Sequence, residues 1–150
     1  MKELNNLYVE STEKTPLIDF NALTGELILS GKSIPINAPR IFEPVLEWVT
    51  EYVKKPRQNT NLRLNLDYFN TASSIWLAKI VKALTDIDSP ESVLFLHIYF
   101  PIEDFEDIDD IKDDLSPVID IVSNAKLSVG LKIYGTDEKG KILKESMIFI

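Results

Sequence analysis

Cysteine is missing from the whole 150-residue chain. That removes disulfides, thiolate metal ligands and thiol nucleophiles together, and it suits a reducing compartment. Histidine occurs once, at position 97. A hydrolase or metalloenzyme built on it would need imidazole or carboxylate companions close in space, and a lone histidine inside an apolar run reads as a satisfied core residue. The five glycines (25, 31, 130, 135 and 140) are scattered, and none opens a helix after a strand, so no phosphate-cradling loop is present. Basic side chains are the minority, 16 against 24 acidic ones, which leaves a net charge of −8. Such a field repels a phosphate backbone, so nucleic acid is not an expected partner. Nothing approaches the roughly 20 apolar residues of a membrane span, and Met1 to Asn6 lack the apolar core of a signal peptide. The cytoplasm is the expected compartment.

What remains is an ordinary globular mixture, 45% apolar and 27% charged. Its length suits one α/β domain over residues 1–150. Leu7 to Glu10, Leu17 to Phe20 and Glu26 to Ser30 read as strands, the last two joined by a tight turn ending in Thr24-Gly25. Gly31, Pro35 and Pro39 argue against regular structure just beyond them. A helix follows from Pro39 or Arg40 to about Lys54, with Phe42, Val45, Trp48, Val49 and Tyr52 at helical spacing. Leu62 to Asn70 alternates Leu62, Leu64 and Leu66 against Arg63, Asn65 and Asp67, which predicts a strand with one polar face. Thr71 to Ser74 open a second helix, whose inner face is Leu77, Ile80, Val81 and Leu84. Val93 to Phe100 is nearly unbroken hydrophobe, as in a strand covered on both sides. A third helix is expected over about Glu103 to Asn124, bent or restarted at Ser116-Pro117. Ser128 to Tyr134 and Leu143 to Ile150 close the chain as a hairpin around Asp137 to Gly140. Alternation after residue 40 predicts right-handed crossovers and at least three parallel or mixed strands.

Three constellations carry chemistry on paper. The acidic run from Glu103 to Asp114 has no glycine for a calcium-loop turn. Its apolar residues Phe105, Ile108, Ile111 and Leu115 recur every three or four positions, so the reading is an amphipathic helix with a solvated face and no metal. Asp19, Asp67 and Glu43 would have to pair to make a small α/β enzyme, and spacing cannot show that they do. Hydroxyls at Thr71, Ser73 and Ser74 sit where a strand gives way to a helix. An N-cap uses one of them. A helix N-terminus also favours an added phosphate, which offers the others a second use.

At these residues the chain resembles a known family. The pieces are Thr15-Pro16-Leu17-Ile18, Gly31-Lys32-Ser33-Ile34-Pro35-Ile36-Asn37, Phe42-Glu43-Pro44 with Trp48 and Tyr52, and Tyr68-Phe69-Asn70-Thr71-Ala72-Ser73-Ser74. In this order they are similar to the motifs of the SiaC family of bacterial regulatory phosphoproteins. Ile36, Ala72 and Trp76 depart from that pattern, where glutamate, serine and a small or basic residue are frequent.

The resemblance implies a single STAS-like domain, a mixed β-sheet with three main helices and a C-terminal hairpin. It implies no catalysis and no cofactor. A serine/threonine protein kinase would phosphorylate Thr71, with Ser73 the lesser candidate, and a PPM-type phosphatase would reverse it. The unphosphorylated form would bind an output protein such as a diguanylate cyclase, in cyclic di-GMP signalling. Tyr68, Asn70, Ser73 and Ser74 would belong to the partner-binding surface. The alternatives are an enzyme using Asp19 and Asp67, and a structural subunit whose closing hairpin pairs with a second copy as a homo-oligomer.

Overall fold

A computed structural model describes residues 4–69, 71–105, 109 and 115–149. Its strands are β1 (Leu7–Val9), β2 (Leu17–Phe20), β3 (Glu26–Ser33), β4 (Asn59–Phe69), β5 (Val93–Pro101), β6 (Ser128–Thr136) and β7 (Ile142–Phe149). Its helices are α1 (Ala38–Tyr52), α2 (Thr71–Leu84), α3 (Ile102–Phe105) and α4 (Ser116–Val122). The seven strands form one sheet in chain order. β3 to β6 run parallel to one another, while β1–β2, β2–β3 and β6–β7 pair antiparallel.

That order dictates the layering. Right-handed crossovers that always step in the same direction leave their helices on one face of the sheet. α1 packs on α2, and α2 on α4. Phe42, Val45, Val49 and Tyr52 of α1, Ile80, Val81 and Leu84 of α2, and Val122 of α4 share one core with Ile18, Phe20, Leu27, Leu29, Leu62, Leu94, Leu96, Leu131 and Ile133 of the sheet.

Two expectations are corrected here. β3 does not stop at Ser30 but runs to Ser33, because Gly31 adopts φ +103° and a register shift between Gly31 and Lys32 lets the pairing with β4 continue. Among the described residues, β5 is not buried alike on its two faces. Leu94 and Leu96 are buried in the core, whereas Phe95, His97 and Tyr99 alternate onto the opposite face. The aromatic run there meets side-chain neighbours within the sheet, His97 and Tyr99 both stacking on Tyr134.

The third helical stretch is seen only at its ends. α3 takes up the chain directly after β5, and α4 starts at Ser116-Pro117 with proline in its first turn. Ile108, Ile111 and most of the acidic run fall outside the described residues. No helix among the described residues is long and apolar enough to cross a membrane.

Candidate functional site at the β4–α2 turn

In a parallel sheet the carboxyl ends of the strands and the helix starts that follow them share one edge. Here that edge brings together the ends of β3 and β4, the β3–α1 loop and the first turns of α1 and α2. Thr71 is the first residue of α2 and is exposed. Ser73 lies two residues on and is fully buried. Its Oγ donates to the Ser33 carbonyl at 2.8 Å and meets the Ser33 Oγ at 2.7 Å. The pair ties the first turn of α2 to the end of β3 and so fixes where Thr71 stands.

That geometry corrects the expectation for Ser73. With no exposure, it cannot touch a docked partner or meet a kinase while the fold is intact; it positions the turn instead. Ser74 is half-buried. Tyr68 sits near the end of β4 opposite Lys32, and Asn70 falls outside the described residues.

The surface around Thr71 is more apolar than its motif suggests. Ile36, in the β3–α1 loop, is 91% exposed, and Ile75, one helical turn below Thr71, is 54% exposed. Lys79 follows at the next turn, so Thr71, Ile75 and Lys79 form one exposed stripe along α2. Beside it Trp76 stacks on Phe42 of α1 at 6.4 Å, with the Lys79 ammonium 4.4 Å from the indole centre. Ile34 stands at the end of β3, its N–H donating to the Lys14 carbonyl at 2.8 Å. Sequence reasoning marked Ile36 only as a departure from the family pattern and passed over Ile75. The available signal was that Ile75 falls outside the inner stripe of α2, and that Ile36 stands between a proline and a helix cap.

The carboxylates of the enzymatic alternative are not brought together. Asp19 shares a cross-strand row with Ile28 and Arg63. Asp67 lies two strands away and four residues further along, about 10 Å across and about 13 Å down the sheet. Glu43 belongs to α1, in the helical layer. Among the described residues, no three histidine or acidic side chains converge as a metal would require.

His97 is held on the sheet's other face, 5% exposed. Its Nε2 meets Asn61 Oδ1 at 2.8 Å and its Nδ1 meets the Tyr134 hydroxyl at 2.7 Å. Since Asn61 Oδ1 can only accept, Nε2 carries the proton and Nδ1 accepts from Tyr134. Burial, with the Arg63 charge adding to it, pushes His97 down to about 4. A neutral, doubly bonded imidazole of this kind is a structural group. Next to it Arg63 donates to Glu26 at 2.9 Å and to the Tyr99 hydroxyl at 3.0 Å. The Glu26 carboxylate holds that guanidinium firmly protonated.

α1, α2 and α4 on one side of a mixed sheet, with an exposed threonine heading the helix after a central strand, define a STAS-like α/β domain. The chain belongs to the SiaC family of regulatory phosphoproteins, whose family model matches residues 9–124. An uncharacterized protein of Pseudomonas aeruginosa is 31% identical over 84 residues, a match spanning 56% of this chain and 61% of that relative. The crystal structure of apo-SiaC from Pseudomonas aeruginosa is similar, with a TM-score of 0.63 and 25% identity, covering 75% of this chain and 93% of that one. A chain in the crystal structure of the diguanylate cyclase SiaD in complex with its activator SiaC, from the same organism, gives 0.66 at 20% identity. That match covers 85% of this chain and 99% of the other, and at such identity it speaks for the fold.

Proposed function

We propose that this chain is a non-enzymatic cytoplasmic adaptor, a single domain whose docking surface is switched by phosphorylation of Thr71. The observation that carries the reading is the exposed position of Thr71 at the head of α2, within a rim of exposed isoleucines. A kinase can reach its hydroxyl without unfolding anything. The phosphate would add about −1.5 to −2 charges and three acceptor oxygens at a helix N-terminus, where N–H groups and the helix dipole favour it. The fold is therefore spared. A partner packed over the bare threonine and its isoleucine rim would instead meet desolvated charge.

On this reading a serine/threonine kinase sets the mark on Thr71 and a PPM-type phosphatase removes it. The bare form docks through Ile36, Ile75 and the Trp76 edge, joined by Tyr68, Asn70 and Ser74. Its output is a diguanylate cyclase, the class of protein with which a structurally similar chain is found in complex. Affinity capture from native cells tests this. Thr71→Ala bait should retain a diguanylate cyclase that Thr71→Glu bait releases, as identified by mass spectrometry. Equal retention by both baits would remove Thr71 from the switch.

A further inference from the structure

At the opposite end of β4 lies a half-open groove of about 790 Å³. It runs between the N-terminal segment, the second half of α1 and the β2–β3 turn. Its apolar lining is Leu4, Leu7, Leu23, Trp48 and Tyr52. The polar atoms of that floor are already engaged. Trp48 Nε1 donates to the Asn5 carbonyl at 2.7 Å, and the Tyr52 hydroxyl meets Thr60 Oγ1 at 2.8 Å and the Arg57 N–H at 3.2 Å. Trp48 and Tyr52 are nearly buried, at 7% and 2% exposed, so the carbon most open to a ligand is that of Leu4, Leu7 and Leu23.

The rim is different. Lys54, Lys55 and Arg57 border the groove against one carboxylate, Glu51, which Lys54 already pairs at 2.9 Å. Among the described residues Lys55 and Arg57 have no carboxylate partner. Cations past a helix end are usual partners for its negative pole. Arg57 goes further: its Nε donates across to the Ala22 carbonyl at 3.1 Å, while the Ala22 N–H is held by Asn6 Oδ1 at 2.9 Å. The guanidinium is thus fixed at the lip, with its terminal nitrogens left for another group. In a chain of net charge −8 this is a local excess of positive charge beside an apolar trough.

We infer that this groove binds a small amphipathic anion, its apolar body along Leu4 and Leu7 above Trp48 and its anionic head at Lys55 and Arg57. The volume falls within the range of small-molecule sites, about 300–1,000 Å³. The site is separate from the Thr71 turn, because α1 runs back across the sheet and ends where β4 begins. β4 has 11 residues, which sets the two places about 33 Å apart.

The test uses decanoate as the probe and decanol as its neutral counterpart. The chain has two tryptophans, so Trp76→Phe leaves Trp48 as the sole indole reporter. Its emission is followed beside calorimetry, which also reads binding that leaves fluorescence unchanged. Decanoate should bind saturably at one site, below its micelle range, at least about tenfold more tightly than decanol, as one charge-assisted contact allows. Lys55→Gln with Arg57→Gln should abolish that difference and leave decanol binding unchanged, with melting lowered by no more than about 6 °C for the lost Arg57–Ala22 bond. Absence of saturable decanoate binding by both methods would overturn the inference. So would equal affinities for decanoate and decanol, or an unaltered preference in the double variant.

Discussion

Individual side chains at the β4–α2 turn divide between holding and exposing. Ser73 holds: its hydroxyl serves Ser33 twice within the core, and its loss strands the Ser33 oxygens there. Ser73→Ala should therefore cost about 1–3 kcal/mol in denaturant unfolding. It should leave phosphate on Thr71 when the chain is recovered from its native cells and mapped by mass spectrometry. Disappearance of the phosphate from a folded Ser73→Ala chain would make Ser73 the acceptor.

His97 sets a second residue-scale expectation. Its folded value, about 4, lies below the ordinary 6.5, so the unfolded chain takes up the proton first as pH falls. The stability it confers is complete above about 6.5 and drains away as pH drops through about 4, on the order of 2–3 kcal/mol. Subtracting the unfolding profile of His97→Gln from that of the wild type should isolate this leg. A flat difference between pH 7 and 4 would contradict the buried neutral imidazole.

Elements were legible where punctuation and periodicity agreed. The start of α2 falls at Thr71, as the hydroxyl cluster after an alternating strand predicts. The closing hairpin turns where Asp137 to Gly140 predict, with Asp137 Oδ1 accepting from the Lys139 and Lys141 N–H groups. Gly25 closes the first hairpin at φ +76°, its N–H bonded to the Asn21 carbonyl at 3.0 Å. Elements were misread where one residue admits two roles. Gly31 looks like a stop, yet a positive φ in a glycine also permits a bulge that keeps a strand going. An apolar run such as β5 does not say whether its second face meets a helix or a cluster built from Phe95, His97 and Tyr99. Nor does an isolated isoleucine such as Ile36 announce exposure, since most isoleucines are buried.

The β2–β3 turn makes the element-scale prediction sharp. A Cβ on Gly25 would clash with the Asn59 carbonyl oxygen, at a φ that costs side-chain-bearing residues about 1–2 kcal/mol. Gly25→Ala should lower unfolding stability by more than that alone, whereas Gly140→Ala, with nothing within 4 Å of its Cβ, should show the φ cost only. Equal losses at the two positions would mean that the hairpin shifts freely away from β4.

At the scale of the molecule, seven strands in chain order put α1, α2 and α4 on one side and line up the starts of α1 and α2 along one edge. That edge carries Thr71 and the exposed isoleucines, and the Ser33–Ser73 bond couples it rigidly to the core. Such a surface can be altered electrostatically without disturbing the layers beneath it. The central claim is that charge at Thr71 changes docking and not folding. The direct measurement is thermal melting of Thr71→Glu beside its affinity for the output protein captured by Thr71→Ala. A carboxylate at a helix N-terminus is favourable by about 0.3–1 kcal/mol, so the variant should melt within about 4 °C of wild type. Its affinity should fall at least about tenfold, from a charge desolvated against a surface shaped for a hydroxyl. A variant that melts far below wild type would make Thr71 a packing residue, and one that melts and binds normally would leave it a helix cap with no switch.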